Sequence, residues 1–317
     1  MSFSSKVKNE IAKLQDERSC CQIAELSALI KMNGTIQILG KNRIGIKLTT
    51  ENAAIARNIF SLIKNNFDFH TKVAMTKNKQ LKKNYSYTLL VDSDSASEDI
   101  LKKLYIINET SKGPRINNRI PNSIIRKDCC KRAYLRGVFL GGGSISDPEK
   151  TYHLELVTSN EVYAKDIKNL MNSFGLNAKI VIRKDNFVVY LKEGENIVDF
   201  LNIIGAHSAL LDLENVRIYK EMRNNVNRLV NCETANLSKT VNAAMRQINN
   251  IEYIKEHMGL DKLPQNLRDI AEARLLHQDA SLKELGEMLN PPVGKSGVNH
   301  RLRKLDELAD QLKEKNQ

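Results

Sequence analysis

Residues 20–62 recur in register 108 or 109 positions further along the chain. A shift of 109 aligns Cys20 with Cys129, Cys21 with Cys130, Ala24 with Ala133, Leu26 with Leu135, Gly34 with Gly143 and Ile36 with Ile145. A shift of 108 then aligns Leu48 with Leu156, Thr50 with Thr158, Asn52 with Asn160, Ala56 with Ala164, Ile59 with Ile167 and Leu62 with Leu170. Twelve identities across about 43 residues mark two copies of one folding unit. The first 207 residues are therefore expected to form one duplicated domain, with repeat 1 at about 1–108 and repeat 2 at about 122–207.

Both copies carry the same periodicities. A helical stretch ends at a glycine, 21–33 before Gly34 and 130–142 before Gly143. In the first copy, extended runs at 35–39 and 43–48 flank Gly40-Lys41-Asn42, a hairpin signature. In the second, the run ending at 153–158 alternates apolar and polar residues. Helices are predicted next over 51–65 and 160–173, the latter opened by the capping pattern Thr158-Ser159-Asn160-Glu161. Strand pairs follow at 71–77 and 86–92, matched by 178–183 and 187–191, and closing helices at 95–106 and 195–204. The fold class is α+β: helix, two strands, helix, two strands, helix, twice over, about a pseudo-twofold axis. Ahead of this, Val7, Ile11 and Leu14 fall at i, i+4 and i+7 of an amphipathic helix.

The stretches LSALIKMNG (26–34) and LRGVFLGGG (135–143), one per copy, resemble the nine-residue motif helix of LAGLIDADG homing endonucleases. The resemblance implies that the two motif helices pack against each other at the pseudo-twofold, where Ala28, Gly137 and Gly141 would let their backbones approach. Family members carry an acidic residue before the final glycine of each motif, and the paired carboxylates hold a divalent metal for phosphodiester hydrolysis. Here those positions are Asn33 and Gly142, a neutral amide and a bare backbone. No catalytic residue, no metal site and no cofactor is expected; a nuclease would have to recruit Asp147 or Glu149 instead.

A net charge of +12 and a pI near 9.4 argue for a polyanionic partner, since Lys and Arg displace the counterions condensed on phosphates. Residues 1–210 hold 32 Lys and Arg against 21 Asp and Glu. Clusters lie at Lys41/Arg43/Lys47, at Lys77/Lys79/Lys82/Lys83 and across 112–136, so the duplicated domain either keeps a phosphate-binding role or carries solvated loop charge. The N-terminus has no apolar core of a secretory signal, and no stretch approaches the roughly 20 apolar residues of a membrane span. A cytoplasmic, nucleoid-associated protein without membrane contact is expected. The five cysteines, two adjacent pairs and Cys232, offer neither good disulfide partners nor a Cys-x-x-Cys zinc pattern, and read as small buried side chains. The six histidines are far apart in sequence and read as structural or surface groups, His300 excepted.

The C-terminal part is all helical in pattern. Residues 208–250 read as a connector of one or two long helices, and 251–317 as a helix-turn-helix domain. Its first helix spans 263–277, with apolar Leu267, Ile270, Ala271 and Leu275. Ser281-Leu282-Lys283-Glu284 is a capping box opening a second helix, with Leu282, Leu285 and Leu289 inward. Asn290-Pro291-Pro292-Val293-Gly294 forms the turn, and a third helix runs over about 296–312. At 100° per residue, Val298, Leu302 and Leu305 make its core stripe. Ser296, Asn299, His300, Arg303 and Lys304 face the other way, and with Lys295 and Arg301 form the candidate DNA-binding set. Residues 251–317 hold 11 Lys and Arg against 12 Asp and Glu, yet 295–304 carry four cations and no acid. The positive charge is focused on one helix end.

A LAGLIDADG-like domain without its acids, followed by a helix-turn-helix, resembles the WhiA family of sporulation regulators along essentially the whole chain. The opening Met1-Ser2-Phe3 and the segment RNNVNRLVNCETAN (223–236) carry the likeness further. The resemblance implies a non-enzymatic, sequence-specific transcription regulator of a Gram-positive bacterium, acting in sporulation, cell division or chromosome segregation. Double-stranded DNA is the expected partner, with other transcription factors or RNA polymerase as further candidates. The rival readings are an endonuclease or RNA maturase, active or vestigial, and a nucleoid-associated structural protein.

Overall fold

The computed structural model describes residues 1–38, 44–67, 69, 71–77, 85–91, 94–110 and 113–315. The Gly40-Lys41-Asn42 turn and the basic residues Lys41, Arg43, Lys79, Lys82, Lys83 and Lys112 lie outside them. The chain divides into two compact units, Met1–Lys220 and Glu221–Gln317.

In the first unit, α1 (Phe3–Ile11) buries Val7 and Ile11, as their spacing predicts. Repeat 1 follows as α2 (Ser19–Asn33), β1 (Gly34–Ile38), β2 (Ile44–Thr50), α3 (Ala53–Phe67), β3 (Lys72–Lys77), β4 (Tyr85–Val91) and α4 (Asp94–Lys103). A hairpin that the sequence did not announce, β5 (Ile107–Thr110) and β6 (Gly113–Ile116), leads out of it. Repeat 2 is α5 (Asp128–Gly142), β7 (Gly143–Ile145), β8 (Leu154–Thr158), α6 (Glu161–Asn172), β9 (Lys179–Arg183), β10 (Asn186–Leu191) and α7 (Gly194–Ile204). The two antiparallel sheets have the same strand order, β1-β2-β4-β3 and β7-β8-β10-β9. Their registers also agree: Gly34 pairs with Leu48 as Gly143 pairs with Leu156. The single residue by which the repeat offset changes is thus absorbed between the first two strands of each sheet.

The two motif helices, α2 and α5, form the centre of this unit. Each is apolar over most of its circumference, the mark of a helix with no solvent face: α2 buries Cys21, Ala24, Leu26, Ala28, Leu29 and Ile30, and α5 buries Tyr134, Leu135, Val138, Phe139 and Leu140. Small residues set their separation. A Cβ added at Gly137 would lie 2.9 Å from the Ala28 Cβ and press on the Glu25 carbonyl; one at Gly141 would lie 2.6 Å from the Met32 Cβ. Both helices end by passing directly into a strand, and the terminal glycines make that possible: a Cβ on Gly34 would meet the Ile30 carbonyl at 2.5 Å, and one on Gly143 the Phe139 carbonyl at 2.7 Å.

A polar link crosses this apolar contact. Arg136 Nε donates to Glu25 Oε2 at 2.8 Å, and Asn58 Nδ2 donates to Glu25 Oε1 at 2.7 Å. Burial pushes the Glu25 carboxyl upward, while the Arg136 charge and the Asn58 amide pull it back. The pseudo-twofold does not repeat this pair. The shift of 109 places Tyr134 opposite Glu25 in the alignment and Arg136 opposite Ser27. Tyr134 shares a hydrogen bond with Tyr163 at 3.0 Å, and Ser27 donates to the Leu104 carbonyl at 3.1 Å.

The expected connector is one continuous helix, α8 (His207–His257). Glu10 accepts from the backbone N–H groups of Ser208 and Ala209 at 2.7 and 3.0 Å, placing a carboxylate at the positive start of that helix. Its last turns carry Ile251 and Ile254 into the core of the second unit. There a short 3₁₀ turn (Leu260–Lys262) precedes α9 (Gln265–Leu276), α10 (Leu282–Met288) and α11 (Lys295–Lys315). Among the described residues no helix is long and apolar enough to cross a membrane.

Candidate nucleic-acid interface

The second unit presents a helix-turn-helix built from local rules. Ser281 accepts from the Glu284 backbone N–H, and the Glu284 carboxylate accepts in return from the Ser281 N–H at 2.7 Å, so both ends of the capping box are made. That contact holds the Glu284 carboxyl below its ordinary range. The α9–α10 loop is closed by Arg274, a buried residue whose Nη1 donates to the Ala280 carbonyl at 2.7 Å. The turn between α10 and α11 folds back on Gly286, whose carbonyl accepts from Val293 N at 2.9 Å and whose missing Cβ leaves room for the Val293 carbonyl. Arg274 and Gly286 were not singled out from the sequence; their only signals there are a cation on an apolar helix and a glycine inside a short one.

In α11 the inward stripe is Val298, Leu302 and Leu305, all fully buried, continued by Ala309. Lys295, Ser296, Asn299, His300, Arg303 and Lys304 are exposed, as the helical wheel requires. Arg301 differs from them. It is half-buried, and its Nη1 donates to the Asn266 carbonyl of α9 at 3.4 Å. Arg303 Nε lies 3.3 Å from Glu307 in an exposed i,i+4 pair, a contact weak enough to give way to a phosphate or a base edge. The exposed set occupies the first three turns of a helix whose N-terminus carries positive partial charge.

The first unit shows what stands at the degenerate motif ends. Asn33 Nδ2 donates to the Thr49 carbonyl at 2.5 Å. A Cβ on Gly142 would sit 2.9 Å from the Val157 carbonyl and against the Met32 methyl. A cleft of about 840 Å³ opens beside Asn33 and Gly141, and Lys8, Lys13 and Arg57 line it against one acid, Glu51. A divalent cation needs anionic oxygen there; cations already border the place. Asp147 and Glu149 are exposed in the turn after β7, where the Asp147 carboxylate accepts from Glu149 N at 3.1 Å. On the second sheet, Glu155 draws in Arg183 at 2.9 Å and His153 at 2.6 Å, so part of the basic charge of that surface is internally balanced.

The cysteines depart from the expectation of small buried groups. Cys21 and Cys130 are buried, but Cys129 is half-exposed, and Cys20 and Cys232 are exposed. Cys20 and Cys129 each occupy the second residue of a motif helix, at the solvent-accessible start of that helix. Cys20, Cys21, Cys129 and Cys130 nevertheless meet across the repeats, all four sulfurs within 4.8 Å of one another.

With this geometry in hand, three family profiles account for nearly the whole chain. The WhiA N-terminal LAGLIDADG-like domain matches residues 19–107, the WhiA LAGLIDADG-like domain 131–223 and the WhiA C-terminal HTH domain 226–309. The chain belongs to the WhiA family. The probable cell division protein WhiA of Alkaliphilus metalliredigens is 59% identical over 310 residues, spanning 98% of each chain. Its namesake in Clostridium botulinum is 59% identical over 314 residues, spanning 99% of each. The crystal structure of full-length DUF199/WhiA from Thermatoga maritima matches with a TM-score of 0.59 at 28% identity, covering 98% of this chain and 99% of that one. Two WhiA LAGLIDADG-like domains and a WhiA HTH domain indicate a DNA-binding protein.

Proposed function

We propose that this WhiA-family chain is a non-enzymatic, sequence-specific transcription regulator that reads DNA through the start of α11. The observation that carries the reading is the exposed row Lys295, Ser296, Asn299, His300, Arg303 and Lys304 on a helix whose opposite face is wholly buried. Amide and guanidinium groups there suit bidentate contacts to adenine and guanine edges, while Lys295 and Lys304 suit phosphates. Arg301 stands apart from this row, donating to the Asn266 carbonyl of α9. The genes under control belong to cell division, chromosome segregation or sporulation; that the relatives are named probable cell division proteins supports the first of these.

Chromatin immunoprecipitation with sequencing supplies the operator, and fluorescence anisotropy on that operator tests the interface. Arg303→Ala and Asn299→Ala are each expected to cost about 1–3 kcal/mol against the cognate site. Lys295→Ala should weaken all sequences alike and lower the salt slope by about one. Equal operator affinity in wild type and both of the first two variants removes the reading. Supercoiled plasmid incubated with the protein and Mg²⁺ should stay intact, since the motif ends offer no paired carboxylates; cleavage reverses that part.

A further inference from the structure

We propose that Cys20, Cys21, Cys129 and Cys130 form a tetrathiolate site for one thiophilic divalent cation of the zinc class, clamping the two repeats at the start of their motif helices. The first support is geometric. Four sulfurs from two chain segments 109 residues apart lie within 4.8 Å of one another. A tetrahedral zinc with bonds of about 2.3 Å holds its sulfurs roughly 3.8 Å apart, so small side-chain rotations close the site. The recorded Cys129–Cys130 separation is already 4.0 Å. An iron–sulfur cluster, with a core of several atoms between its ligands, needs its cysteines further apart.

The second support comes from the helix ends. In both α2 and α5 the cysteines are the second and third helical residues, and in both the N-cap residue, Arg18 or Lys127, makes no side-chain cap. Two positive helix ends thus converge on the sulfurs without a capping oxygen, and favour anionic sulfur. Arg18 adds its charge near Cys21 and Cys129, although Asp16 holds it at 2.8 Å. Binding releases protons: Zn²⁺ and four thiols give a tetrathiolate complex of charge 2− and four protons passed to water. Exposed Cys20 and half-exposed Cys129 leave a path for the ion. A pair of cross-repeat disulfides is the competing use of the same sulfurs.

The test uses untagged full-length protein, purified with reductant, stripped by chelator and titrated with zinc chloride. One zinc per chain by plasma mass spectrometry is expected, and cobalt in its place should give the visible bands of a tetrahedral thiolate complex. Cys20→Ser with Cys129→Ser removes two direct ligands and leaves the buried sulfurs. Its zinc affinity should fall by more than the 10–100-fold that loss of a mere outer-shell partner brings. No bound metal and no cobalt spectrum overturns the site, as does a variant that binds zinc as tightly as wild type. In a parallel preparation without reductant, a mass lower by four hydrogens with no metal overturns it in favour of disulfides. Should the variant fail to fold, stoichiometry and chelator competition on the wild type still decide.

Discussion

Asn33 and Gly142, the two positions that replace the motif acids, meet equivalent carbonyls: Asn33 donates to Thr49 O at 2.5 Å, and Gly142 leaves its missing Cβ 2.9 Å from Val157 O. Thr49 and Val157 are themselves related by the repeat, so both motif helices end against the same strand position. A carboxylate at either position is brought against a backbone carbonyl oxygen.

Restoring the acids should therefore destabilise the fold, unequally. Asn33→Asp turns a half-exposed donor into an acceptor facing Thr49 O, at about 1 kcal/mol. Gly142→Asp forces a side chain against backbone and should cost about 1–3 kcal/mol as overpacking. Urea unfolding midpoints check the order; a milder effect at Gly142 contradicts the packing described.

Gly137 sets how closely α2 and α5 lie. Gly137→Ala gains about 1 kcal/mol of helix propensity, yet drives a methyl against Ala28 and the Glu25 carbonyl. Net destabilisation of about 1–3 kcal/mol is expected in thermal or urea unfolding. A stabilised variant excludes the close approach.

The Glu25–Arg136 link should show strong coupling. Breaking it by removing one partner costs about 3–5 kcal/mol, because a buried charge is left alone. In a double-mutant cycle with Glu25→Met and Arg136→Met, the pair should lose less than the two single variants summed. The sign with pH follows from Glu25, whose folded pKa lies above its ordinary 4.5. In Arg136→Met the lone carboxyl favours the folded state when protonated, so that variant's deficit widens as pH rises through and above 4.5. Additive losses with a flat pH profile contradict this.

Lys31 provides a second titration. Burial pushes its ammonium down to about 8, against a smaller opposing pull from Asp166, while its Nζ donates to the carbonyls of Asn117 and Arg119. A lysine with a lowered folded pKa burdens the fold fully below that value and is relieved as pH climbs toward 10.5. Relative to Lys31→Met, wild type should gain stability between pH 8 and 10; paired denaturant melts at those two values measure it.

The duplication made most of the first unit legible, because twelve repeated identities fixed which helices and strands correspond. The α11 face was equally plain, since a buried stripe at helical spacing leaves its opposite side determined. The contact of Arg301 with the Asn266 carbonyl could not be read from the wheel, because its partner lies in another helix. The continuity of α8 was hidden by an asparagine-rich stretch whose apolar residues, among them Met222, Val226, Leu229 and Val230, stay exposed. The cysteines were misjudged for a related reason. Adjacent pairs look idle in one dimension, and become a cluster only when the repeats bring positions 109 apart together.

The charge link between the motif helices has a corollary. Two copies of the first half would set Glu25 against Ser27, and two copies of the second would set Arg136 against Tyr134. Neither like-with-like union neutralises its ion, whereas the tandem chain does. The two halves are therefore complementary, each supplying the charge that its counterpart lacks.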